Sequence, residues 1–162
     1  MSAHIEVYTD GATSGNGTTN ACGGWAYMFG ESEKEMICGY GGEYNTTNNR
    51  MELMAALKGI ESARAVYGEE AIIHIISDSA YLINCYEQKW YKNWKNNGWI
   101  NSAKKPVANK DLWEKLIPYF EDHRYMFSKC AGHSGNKNND LVDKLAKRGT
   151  AEVKKGNECL YN

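Results

Sequence analysis

Residues 71–78 read AIIHIISD, and the rest of the chain can be ordered around this run. Ala71 to Ser77 is continuously apolar with a β-branched bias, the pattern of a central strand covered on both faces, and it ends at an acid, Asp78. Before it, Asn49 to Tyr67 sets Leu53, Leu57, Ile60 and Tyr67 at helical spacing, with Thr47 or Asn48 available to cap the first turn and Gly68 to end the last. Before that helix come three strand-like runs. His4 to Asp10 (HIEVYTD) alternates apolar and polar residues and leads into a turn at Gly11 to Gly17. Gly24 to Gly30 and Lys34 to Gly41 flank a short charged turn, as in an antiparallel meander. After Asp78, Ala80 to Glu87 reads as a helix, Asp111 to Phe120 as another with Pro118 in its last turn, Tyr125 to Cys130 as a short strand and Asn139 to Lys155 as a terminal helix. The order predicts an α/β fold: a five-stranded mixed sheet, three antiparallel strands then two parallel ones, with helices on both faces.

The bulk numbers bound the rest. A chain of 162 residues with 42% hydrophobic and 24% charged residues is expected to form one domain over residues 1–162 with a continuous core, not a disordered or fibrous chain. Net charge is −1, so affinity for a polyanion has to come from local charge. The window Gln88 to Lys110 supplies it, carrying Lys89, Lys92, Lys95, Lys104, Lys105 and Lys110 with no acid and leaving the remainder at −7. Five cysteines without a CxxC spacing suit reduced thiols in a cytoplasmic protein better than a disulfide framework. Strand-like sequence from His4 leaves no room for a signal peptide, and no apolar run reaches the roughly 18 residues of a membrane span. The expectation is a cytoplasmic monomer with no membrane partner.

Two acids, Asp10 and Asp78, end strands. In an open α/β sheet ligands gather beyond the carboxyl ends of parallel strands, so both are candidates for one site. Glu52 stands near a helix start, and the residues following on its face, Ala56, Gly59 and Ala63, are small enough to bring that side of the helix close to its neighbour. Carboxylates crowded into one crevice repel each other unless cations neutralise them, and hard oxygen ligands suit Mg2+ or Mn2+. From spacing alone, the same acids could equally cap turns and helix ends.

The local sequences narrow this. TDGATSGN at Thr9 to Asn16, TTNNRMELMAAL at Thr46 to Leu57, SDSAYL at Ser77 to Leu82 and GHSGNKNNDLVDKLA at Gly132 to Ala146 occur together and in that order. With WYKNWKNNGW and KKPVANKDLW between the last two, the chain resembles the ribonuclease H type 1 family from about residue 4 to residue 150. The resemblance implies a ribonuclease H-like fold and an endoribonuclease that hydrolyses the RNA strand of RNA/DNA hybrids, leaving 5′-phosphate and 3′-hydroxyl ends. It implies Asp10, Glu52, Asp78 and Asp143 as catalytic ligands of two Mg2+ ions, with Mn2+ as a substitute, and His133 beside them as a proton shuttle or an aid to product departure. Asp140, on the same helix as Asp143, takes a structural or supporting part, because Asp143 is the acid ten residues after His133, as in the family.

For substrate binding, the resemblance makes residues 88–110 a basic handle on the DNA strand, through Lys89, Trp90, Lys92, Trp94, Lys95 and Lys105. Gly11 and Asn16 offer a small polar surface to the shallow minor groove. Asn48 and Asn49 match minor-groove asparagines, and Thr47 and Asn109 match positions holding a DNA phosphate. Two departures stand out: Ala80 replaces a glutamine often found touching RNA, and Asn96-Asn97 replaces more basic residues in the handle. The alternatives are a non-catalytic hybrid-binding module, which has no need of four acids, and a DNA-directed nuclease of the same fold.

Overall fold

The computed structural model describes residues 3–16, 18, 20–31, 35–130 and 137–161, with side chains as far as residue 156. Its elements run β1 (His4–Ser14), β2 (Cys22–Phe29), β3 (Ile37–Tyr44), α1 (Asn48–Tyr67), β4 (Ile72–Ser77), α2 (Ala80–Gln88), α3 (Trp90–Asn97), α4 (Lys110–Phe120), β5 (Tyr125–Lys129) and α5 (Lys137–Tyr161). The five strands form one sheet in the order β3-β2-β1-β4-β5. β1, β2 and β3 pair antiparallel, while β4 runs parallel to β1 and β5 parallel to β4, so this is the mixed α/β sheet of the ribonuclease H-like fold.

β1 continues four residues past Asp10, where a turn was expected. Gly11 to Ser14 pair with Trp25 to Cys22 of β2, and ladder hydrogen bonds override the turn preference of Gly-Ala-Thr-Ser. The consequence is a notch. Parallel pairing of β1 with β4 ends at Thr9 opposite Ser77, whereas pairing with β2 carries on, so the sheet splits where the next step of the register would set Asp78 beside Asp10.

Each sheet face has its own core. On one side Ile5, Val7, Phe29, Ile73 and Ile75 pack with Leu53 and Ile60 of α1, and this core runs on into Leu82, Trp113 and Leu116 of α2 and α4. Gly59 lets α1 lie flat here, since a Cβ would come within 2.9 Å of Val7 Cγ1. On the other side Ala26 and Met28 meet Val142 and Ala146 of α5. Among the described residues that helix packs over β1, β2 and β3 and makes little or no contact with β4, so the expectation that β4 is sealed on both faces fails. Its residues alternate instead: Ile73, Ile75 and Ser77 are buried, while Ile72, His74 and Ile76 are half-buried.

Thr47 settles the capping alternative, its hydroxyl accepting from Arg50 N at 3.1 Å. Among the described residues no disulfide joins the cysteines, and no helix is long and apolar enough to cross a membrane.

Candidate active site

The notch gathers the acids from both faces of the sheet. Asp10 pairs across the ladder with Ala26, which belongs to the core under α5, so its side chain lies on the α5 side. Glu52 comes from α1 on the opposite side. Gly11 makes the meeting possible: a Cβ there would stand 2.6 Å from the Glu52 nitrogen, and without one the Gly11 N–H donates to Glu52 Oε1 at 2.6 Å. Ser77 Oγ donates to the other Glu52 oxygen at 3.4 Å and accepts from Ser79 N at 3.1 Å, tying the end of β4 to the same carboxylate.

One oxygen from each of Asp10, Glu52 and Asp78 lies within 4.8 Å of the others, an arrangement able to coordinate a divalent metal ion. Asp143 of α5 lines the same pocket, of about 400 Å³, and adds to the upward push on the Asp10 carboxyl. It is also paired with Lys147 at 2.9 Å.

Asp10 and Glu52 are each only 3% exposed, and this sets their protonation. Burial, then the charges of Glu52 and Asp78, push the Asp10 carboxyl far above the ordinary carboxylate range. Burial raises Glu52 to about 7, against the lowering effect of its hydrogen bonds from Asp10, Gly11 and Ser77. Without a cation, a proton is shared between Asp10 and Glu52 at neutral pH. Hard oxygen donors that must otherwise hold a proton fit a divalent ion well.

Gly11, Asn48 and Asn49 line the mouth of this pocket together with Tyr81. Asn16, two residues past the end of β1, is drawn in as well, its Oδ1 accepting from Asn48 N at 3.1 Å. Asn109 starts α4 with a left-handed backbone (φ 61°), and its amide donates to the Tyr81 hydroxyl at 3.3 Å. His133 lies outside the described residues.

The handle is a separate construction. Lys89, also left-handed (φ 56°), turns the chain from α2 directly into α3. Trp94 stacks on Trp99 at 5.7 Å and packs against Trp113 of the body at 5.6 Å, with Trp90 beside it. Beyond α3, Asn101 Oδ1 accepts from the amides of Ala103 and Lys105, folding residues 101–105 into a tight loop. Between helix and loop lies a groove of about 780 Å³ lined by Tyr81, Trp90, Trp94, Asn97, Ser102 and Val107. Lys89, Lys92 and Lys105 are exposed, but Lys95 is already paired with Glu121 at 2.7 Å.

Comparison with known proteins decides the family. The sequence pattern of the ribonuclease H family, RNase H, matches residues 2–151. The ribonuclease H of Syntrophomonas wolfei is 46% identical over 145 residues, covering 88% of this chain and 93% of its own. That of Chlorobaculum parvum is 44% identical over 149 residues, covering 91% and 95%. The chain belongs to the ribonuclease H family. Its four ordered motifs set it with the type 1, or ribonuclease HI, members. In fold it is similar to LC9-RNase H1, described as a type 1 RNase H with the type 2 active-site motif, at a TM-score of 0.77 and 21% identity over 94% of this chain and 74% of that one. It is also similar to the RNase H domain of PFV, at a TM-score of 0.65 and 22% identity over 93% and 96%.

In this ribonuclease H, two features were missed in the sequence. Tyr81 borders both the acidic pocket and the handle groove, and its hydroxyl accepts from Trp113 Nε1 as well as Asn109. Its place on the first turn of the helix after Asp78 was the available signal. Arg50 forms a bidentate pair with Asp111 at 3.0 and 2.8 Å, fastening the start of α1 to the start of α4. Nothing in the sequence links those two residues.

Proposed function

We propose that this chain is an endoribonuclease that hydrolyses the RNA strand of RNA/DNA hybrids with two divalent ions, Mg2+ or in its place Mn2+, leaving 5′-phosphate and 3′-hydroxyl ends, and that it works as a monomer. The observation that carries the reading is the convergence of Asp10, Glu52 and Asp78 within 4.8 Å, with Asp143 lining the same pocket, in a member of this family.

Asp10, Glu52, Asp78 and Asp143 would hold the ions. When bound, these supply activation of the attacking water and stabilisation of the leaving 3′ oxygen. Gly11 and Ser77 keep Glu52 aimed at the pocket through their hydrogen bonds, so its carboxylate needs no rearrangement to act as a ligand. Asn48 and Asn49 offer neutral amides at the mouth, suited to 2′-hydroxyls across a shallow minor groove. Lys89, Lys92 and Lys105 would attract the DNA backbone to the handle groove, where Trp90 and Trp94 give sugars an apolar wall. Lys95 contributes less, being held by Glu121. Thr47 and Asn109 support a DNA phosphate from either side of the Arg50–Asp111 pair, and His133 shuttles protons during turnover.

The test is cleavage of a labelled hybrid, duplex RNA and duplex DNA in Mg2+. The expected result is cutting of the hybrid's RNA strand alone. Equal cutting of duplex DNA would point to a DNA-directed nuclease, and tight hybrid binding without cutting to a non-catalytic module.

A further inference from the structure

Basic charge is not confined to the handle. Residues 144–155 of α5 carry Lys144, Lys147, Arg148, Lys154 and Lys155 against a single acid, Glu152. Arg148 is committed to the β3 side, paired with Glu152 at 3.3 Å and lying over the Tyr40 ring. Lys147 and Lys154 face the other way. With Ala12, Thr13 and Ser14 at the end of β1 they line a groove of about 280 Å³, whose floor includes Thr150. The Thr150 hydroxyl donates to the carbonyls of Ala146 and Ala12, so helix and strand are stitched together beneath the groove.

This groove is continuous with the acidic centre. Lys147 is paired with Asp143, which lines the acidic pocket, and Ala12 to Ser14 are the residues by which β1 runs on past Asp10. Three cavities therefore follow one another. The handle groove meets the acidic pocket at Tyr81, and the acidic pocket meets the lysine groove at the Asp143–Lys147 pair. Lys147 and Lys154 lie two helical turns apart, about 10.5 Å along the axis, a span that follows a backbone and exceeds a single ion.

We infer that the groove between the end of β1 and α5, with Lys147 and Lys154 at its rim, is a second phosphate-binding track, which takes the RNA strand beyond the scissile phosphate. The inference rests on the hybrid-cleaving reading above. A polyanion crossing a cluster of four acids is repelled there, and cations on its onward path offset that repulsion. The strand meeting those acids is the RNA, and the adjoining groove continues its path. Among the described residues no acid pairs with Lys154, whose ammonium is exposed.

The test uses the full chain, wild type and Lys154→Gln, with folding checked by circular dichroism. KM, kcat and their salt dependence are measured on a hybrid with one cleavage site, then on hybrids in which only the RNA or only the DNA is shortened on either side of that site. For Lys154→Gln the expected result is a KM raised roughly two- to fivefold at unchanged kcat, and a salt slope lower by about 0.7 to 0.9, the value of one phosphate contact. That difference from wild type should vanish when the RNA is shortened on one side and persist when the DNA is shortened. An unchanged KM and slope would overturn the proposal, as would a difference that vanishes only when the DNA is shortened. A wild-type chain unable to cut any hybrid would remove the underlying reading, a failure visible before any variant is compared.

Discussion

At the acidic centre Asp10 and Glu52 are each 3% exposed and fixed by strand register, a backbone N–H and the absence of a side chain at Gly11. In the handle, a few residues away across Tyr81, every lysine is exposed and the scaffold is stacked indole rings with left-handed turns at Lys89, Trp99, Lys104 and Asn109. One region concentrates negative charge where water cannot screen it; the other spreads positive charge where water and salt screen it freely. Chemistry that depends on strained protonation therefore belongs to the first region and salt-sensitive grip to the second. Substitutions should separate along the same line, into lost turnover and raised KM.

The sharpest break should come from Asp10→Asn, which is expected to abolish cleavage while thermal stability stays level or rises, because a neutral amide replaces a carboxyl that burial and its acidic neighbours force to hold a proton. Assay and melting curve together check this, and unchanged activity would take Asp10 out of the site. His133→Ala should slow turnover roughly ten- to a thousandfold, read from kcat on a saturating hybrid; an undiminished rate would make it a bystander. In the handle, Lys89→Gln with Lys92→Gln should leave kcat alone, raise KM and lower the salt slope by about 1.8 for two lost phosphate contacts. Lys95→Gln should do less than either, since Glu121 already occupies that ammonium. A larger effect from Lys95 would mean that the pair opens on binding.

The smallest effect expected is on stability against pH. Glu52 at about 7 stands above its value in an unfolded chain, about 4.3, so the stability it contributes is full below about pH 4 and lost as pH rises toward 7. Asp10, raised in the same direction, carries the loss further into alkali. In chelator the melting temperature should fall between about pH 5 and 8, and Asp10→Asn should flatten the decline. A flat wild-type profile would place the two carboxyls in water.

Much of this was legible in the chain. The order of strand-like and helical runs yields the sheet, and the small residues Ala56, Gly59 and Ala63 announce the face on which Glu52 turns inward. The rest depends on contacts between distant residues. Nothing local says that β1 runs on to Ser14, because Gly-Ala-Thr-Ser is turn-like until β2 pairs with it. Nor does the AIIHIIS run reveal that, among the described residues, α5 makes little or no contact with β4. Lys95 and Glu121 are 26 residues apart, Arg50 and Asp111 are 61 apart, and both pairs exist only through the packing of α4 against its neighbours. The acids were readable because their motifs are local, whereas the lysine groove joins the two ends of the chain.

Everything turns on whether the four carboxylates act together as one cation site. Calorimetric titration of Mg2+ into the metal-free protein, wild type against Asp10→Asn and Asp143→Asn, tests that most directly. Binding heat should be clear in the wild type, lost with Asp10→Asn and weakened with Asp143→Asn. Equal Mg2+ affinity in all three would contradict the account.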